Sequence, residues 1–202
     1  MEGKDFKEKE SLELISQVLS EHRARLSDKN SDLLWMTGMA SVLLCIGMMV
    51  LTRWLPDRQV MWFTFLIPAS ALLIARHYRE RRVKTFLDEM FHSAWMYMWL
   101  FPALLSMVYL FTFEANYNLV FLLYIVALMV GLLILLEVVL KMRYASACVI
   151  GSGSMGYLFI TSMEESVFCG LLSFLIFCLF GLLLSGGALQ WQVKHRIKNP
   201  IK

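Results

Sequence analysis

The stretch ANYNLVFLLYIVALMVGLLILL, from Ala115 to Leu136, is 22 residues long and carries no charged side chain. Crossing a hydrocarbon core of roughly 30 Å takes about 20 helical residues, each rising about 1.5 Å. Lipid supplies no hydrogen-bond partner, so the backbone must satisfy itself, and a helix does so. The stretch therefore reads as a membrane-spanning helix, and five others resemble it. Charge-free runs extend over Leu33 to Thr52, Gln59 to Ala75, Ser93 to Phe113, Tyr144 to Met163 and Ser166 to Val193, with lengths of 20, 17, 21, 20 and 28 residues. None alternates in the pattern of about 10-residue strands that a β-barrel requires. The predicted fold class is all-α: a polytopic bundle of six transmembrane helices in three hairpins. Residues 1–30 form an N-terminal cytoplasmic piece, 31–193 the bundle and 194–202 a basic tail.

The cations set the threading. Six lie in the N-terminal arm, five between spans two and three (Arg76, Arg79, Arg81, Arg82 and Lys84), two between spans four and five (Lys141 and Arg143), and four in the tail. Only Arg53 and Arg58 fall on the opposite side, a split of 17 to 2. Cytoplasmic loops carry the excess of Lys and Arg. Both termini are therefore expected in the cytoplasm, and the chain is expected to be a multi-pass protein of the inner (cytoplasmic) membrane. Trp54, Trp62 and Tyr117 would mark the outer interface, and Trp35, Tyr78, Trp95, Tyr144 and Trp191 the inner one. The first 30 residues are polar, which argues against a cleavable signal peptide. The net charge of +3 follows from the cytoplasmic loops. Those loops favour anionic lipid, and they give no ground for a nucleic-acid partner.

Ahead of the first span, Leu12, Ile15, Leu19, His22 and Leu26 recur at 3-4-3-4 spacing, the stripe of an amphipathic helix over about Glu8 to Asp28. The turn Ser27 to Ser31 follows, with Asn30 or Ser31 as a cap for span one. Three partners suit the apolar stripe: the basic stretch Arg76 to Lys84, another protein or a second copy in a short coiled coil, and the membrane surface. Surface-lying helices are rich in Lys and Arg with bulky aromatics, whereas Glu10, Glu13 and Glu21 sit in this one. Leu12, Ile15, Leu19 and Leu26 are the expected partner contacts. Residues Arg76 to His92 also look helical and are expected to extend span three into the cytoplasm.

The chemistry-bearing residues are few. Gly151-Ser-Gly-Ser-Met-Gly156 matches GxGxxG, but a dinucleotide site needs a preceding strand and an opening helix, and here the motif lies within a span. Small residues let helices approach closely in lipid, so Gly151, Gly153 and Gly156 read as a packing surface, and span five as the span most prone to break. The four histidines (His22, His77, His92 and His195) fall outside the spans and lack metal-site spacing, and no Asp lies in a span. No catalytic group, cofactor or metal site is expected, and the chain is not read as an enzyme. The four cysteines, Cys45, Cys148, Cys169 and Cys178, read as small buried apolar residues with no pair placed to staple an outer loop.

Glu137 is the single acid near membrane depth, where a carboxylate costs on the order of 2.5–3.5 kcal/mol. Its two readings are an interfacial pair with Lys141 at i+4 and a proton or cation site facing the bundle. Pro68 and Pro102 fall near mid-membrane in spans two and three. Each removes a backbone hydrogen bond, and together they suggest a hinge or a cavity.

Glu10-Ser-Leu-Glu-Leu-Ile15, the turn Ser27-Asp-Lys-Asn30, Leu33-Leu-Trp35 and Met98-Trp-Leu-Phe-Pro102 resemble a group of small six-span inner-membrane proteins of Bacteroidota. In that group an amphipathic helix leads through a polar turn into the first span. The likeness covers about the first half of the chain. It departs at Met36-Thr37, where the group pattern has Gly-Trp. The resemblance implies the architecture above and no activity, and no functional residue carries over. The leading expectation is a non-enzymatic sensor or scaffold that presents its cytoplasmic helix to a partner or second copy. The alternative is a small-molecule or ion transporter or channel built around Glu137, the two prolines and the glycine cluster.

Overall fold

The computed structural model describes residues 31–80, 86–112, 116–139, 143–162 and 166–198. The amphipathic segment, with Leu12, Ile15, Leu19 and Leu26, lies outside the described residues, as do Lys141 and the end of the tail. Within them the chain is helical and carries no strand. Helix α1 spans Ser31–Leu51. It is followed by α2 (Asp57–Phe63), α3 (Leu66–Glu80), α4 (Phe86–Thr112), α5 (Tyr117–Leu133), α6 (Arg143–Ser162), α7 (Val167–Phe177) and α8 (Leu184–Lys198). Helix α5 continues through a π-helical turn, Ile134–Val139, and a second π turn, Cys178–Leu183, joins α7 to α8.

The helix starts follow from local chemistry. The Asn116 side chain accepts from the Leu119 amide at 3.1 Å, and Ser166 accepts from the Cys169 amide at 3.1 Å. Each supplies a partner for an amide that the first turn leaves unpaired. Asp57 stands in the first turn of α2, where the helix dipole favours an acid.

Pro68 explains why α2 and α3 are two helices. A proline at 68 has no amide to give the Thr64 carbonyl, and its ring crowds that turn. The Ile67 amide takes the carbonyl at 3.1 Å in a tighter turn, and Phe65 keeps only a 3.4 Å contact to Trp62. Pro102 acts differently. Helix α4 runs unbroken through it for 27 residues, and the Ser106 hydroxyl donates to the Pro102 carbonyl at 2.6 Å. Of the helical stretch expected over Arg76 to His92, residues 76–80 belong to α3 and 86–92 to α4, and residues 81–85 lie outside the described residues.

Five stretches are long and apolar enough to cross a membrane: Ser31–Leu51, Asp57–Tyr78, Glu89–Phe111, Tyr117–Glu137 and Val167–Trp191. Helix α6 has the length, at 20 residues, but its serines, glycines and Thr161 hold its apolarity below that of the other five. Nor does the glycine cluster break it. The Ser152 and Ser154 hydroxyls donate to carbonyls of their own helix, at Val149 and Ile150, both at 2.9 Å. Gly153 and Gly156 are met by side chains and backbone of neighbouring helices, whereas Gly151 is not.

Helix α5 sits centrally, packed against α4, α6 and α7, while α3 lies against α4 and α8 against α6. The interior is aromatic. Trp95, Trp99, Phe121, Phe174 and Phe177 are fully buried. Phe91 stacks on Trp95 with ring centres 6.3 Å apart, and Trp95 meets Trp99 at 6.3 Å. Phe174 bridges Phe121, Tyr124 and Phe177 at 6.0–6.4 Å. Between bilayer-embedded helices, such close packing replaces the hydrophobic drive that water would supply.

Candidate functional site

The bundle presents two features on which chemistry or binding can act: a cleft between α4 and α5, and a thiol pair between α1 and the second π turn.

The cleft has a volume of about 480 Å³. From α4 it is lined by Ala94, Tyr97, Met98, Phe101, Pro102 and Leu105. From α5 come Leu123, Val126, Ala127, Val130 and Gly131, with Ile134 and Leu135 at the start of the π turn. Sequence builds it in two ways. Ala94, Ala127 and Gly131 contribute little side chain, and a β-carbon on Gly131 would stand 2.5 Å from Met98 Cγ, so the two helices meet closely there. Around that contact the larger residues splay outward: Tyr97, Phe101, Leu105, Val126, Val130 and Ile134 are all exposed.

Glu137 is exposed and lies in the π turn. It follows Leu135, the last residue of this stretch of the chain to line the cleft, by two positions. Being exposed, it lies past that end of the cleft rather than in the aromatic interior. Pro102 lines the cleft, whereas Pro68 is buried in the α2–α3 junction. That junction borders a separate void of about 10 Å³ among Thr64, Ile67, Phe121, Tyr124 and Phe174. The two prolines thus do not share one cavity: Pro102 lines the cleft and Pro68 does not.

Gly151, Gly153 and Gly156 are likewise divided. A β-carbon on Gly153 would collide with the Met129 thioether, and one on Gly156 would stand 3.2 Å from Ile125 and 3.4 Å from the Ser173 carbonyl. Both are buried against α5 and α7. Gly151 faces open space. The cluster is therefore half packing seam and half outer surface.

Cys45 on α1 and Cys178 at the start of the second π turn are both fully buried, and their side chains meet, with the Ser41 hydroxyl beside Cys178. Among the described residues, no group stands in hydrogen-bond geometry to that hydroxyl. Nothing in the spacing of two cysteines 133 positions apart announces this contact. It depends on α1 lying along residues 178–189, as Gly38 against Leu182 and Leu183, and Gly186 against Trp35, also show. All four cysteines are free thiols. Among the described residues, no three His, Cys, Asp or Glu side chains gather as metal ligands.

Comparison of the chain with family models, with curated proteins and with solved structures finds no match.

Proposed function

We propose that the protein is a non-enzymatic, multi-pass inner-membrane sensor or scaffold that presents its N-terminal amphipathic helix to a cytoplasmic partner or a second copy. In this reading six helices span the bilayer in three hairpins, α6 being the sixth, and both termini are cytoplasmic. Helix α6 crosses as a member of the bundle, its serine hydroxyls bonded within the helix and its Gly153–Gly156 face against α5 and α7. The positive-inside split of 17 to 2 supports the orientation.

The observation that carries the functional reading is the filled aromatic interior. Trp95, Trp99, Phe121, Phe174 and Phe177 occupy the space where a transport path would run between α4, α5 and α7, and Glu137 stands outside it. A packed bundle of this kind suits a rigid platform, which leaves the apolar stripe of Leu12, Ile15, Leu19 and Leu26 as the surface seeking a partner. Substituting Ile15→Asp together with Leu19→Asp is expected to leave membrane insertion intact and abolish capture of the partner or second copy. Unchanged capture by the double variant counts against the scaffold. Substrate flux through liposomes carrying the wild-type protein, lost on Glu137→Gln, would establish the transporter instead.

A further inference from the structure

We propose that the α4–α5 cleft is a binding site for one acyl chain of a phospholipid with a primary-amine headgroup, the chain lying along the cleft and the amine at Glu137. The inference needs the helices to be in a bilayer but does not depend on the scaffold role.

Dimensions select the occupant. On α4 the cleft runs from Ala94 to Leu105, and eleven helical steps cover about 16 Å at roughly 1.5 Å each. That matches one leaflet, about half of a hydrocarbon core of roughly 30 Å. A volume of about 480 Å³ over that length is a slot of roughly 30 Å² in section. A hydrocarbon chain, with carbon contacts at about 3.5–4.0 Å, needs roughly 15–20 Å². The slot therefore has about the section of one lipid chain.

Charge selects the headgroup. Walls such as Phe101, Pro102 and Val130 offer only hydrocarbon along the length of the slot. The polar groups are at the end where α4 begins and α5 finishes: Tyr97 on the lining, and Glu137 two residues past Leu135, just outside it. Arg143 opens α6 at the same end and is exposed. An anionic lipid would bring a second negative charge to Glu137. A zwitterionic aminophospholipid brings an ammonium to the carboxylate and a phosphate to a cationic surface.

The test uses the intact chain in nanodiscs holding equal amounts of phosphatidylethanolamine and phosphatidylglycerol, with a photoreactive group at the acyl end of the former. Labelling is expected to concentrate at the end of the cleft away from Glu137, on residues 101–105 and 123–127, and lipid retained after detergent extraction to be enriched in ethanolamine by about three- to fivefold, the scale of one partly exposed charge pair. Glu137→Gln is expected to bring that ratio to the bulk value with the amount of retained lipid unchanged. Ala127→Trp, which fills the slot, is expected to abolish both labelling and retention. Labelling spread over every exposed helix face in the wild-type protein would overturn the site, and needs no variant to fold. So would covalent dimers formed through Val130→Cys in the membrane, which would place a second copy on the cleft. An unaltered headgroup ratio in Glu137→Gln would overturn the role of the carboxylate.

Discussion

The ring of Phe121 on α5 fills the space that a β-carbon on Gly170 of α7 would occupy. The two central helices approach that closely only because residue 170 has no side chain. Gly170→Ala is therefore expected to destabilise the folded protein by about 1–3 kcal/mol, the usual cost of overpacking a close contact. Phe121→Leu in the same chain should recover part of the loss, and a double-mutant cycle from detergent-denaturation titrations measures the coupling.

Two glycines two positions apart on α6 should behave oppositely. Gly153 is pressed by Met129, whereas Gly151 has nothing within reach of an added β-carbon. Gly153→Val is expected to lower the thermal midpoint in detergent. Gly151→Ala is expected to leave it unchanged or raise it slightly, since alanine is favoured over glycine in a helix by roughly 1 kcal/mol. Equal losses in both variants would contradict the packing described for α6.

The α2–α3 break should depend on one residue. Pro68→Ala restores an amide to the position facing the Thr64 carbonyl. Hydrogen exchange at residues 64–68 is expected to slow, as the tight turn at Thr64–Phe65 gives way to a continuous helix. Pro102→Ala in α4 should change exchange much less, because that helix is already unbroken.

Cys45 and Cys178 are buried, so a membrane-permeant maleimide is expected to leave both unmodified in the folded protein and to reach them only after denaturation, whereas the half-buried Cys148 and Cys169 react first. Mass spectrometry of the labelled peptides reads the order. Labelling of Cys45 or Cys178 ahead of Cys148 and Cys169 would displace α1 from residues 178–189.

The membrane segments were legible because a charge in lipid is expensive, so charge-free runs and Lys or Arg placement report them directly. Glu114 and Glu164–Glu165 interrupt the runs where α4 gives way to α5 and α6 to α7. Helix α6 lacks charge within its run but carries many serines and glycines, so it is less apolar than the other five stretches. Contacts were less legible. Lipid is as apolar as leucine, so burial inside the bundle does not imprint a polar–apolar period on α5. Hence the meeting of Cys45 with Cys178, the two π turns and the α4–α5 cleft left no pattern to read. Each arises from how side chains of similar polarity fit by shape. Pro68 was legible as a disruption because its missing amide is a local fact. Pro102 reads from the sequence as part of a hinge or a cavity with Pro68; that its helix runs unbroken, facing the small residues Ala127 and Gly131 and not Pro68, depends on contacts that leave no local signal.

The six tryptophans divide into two optical populations. Trp95 and Trp99 are sealed inside, while Trp35, Trp54, Trp62 and Trp191 lie on the outer surface. Brominated acyl chains should dim the surface indoles and spare the sealed pair, whose emission should remain blue. The residual signal is then an internal gauge of whether the core stays shut when anything binds outside it.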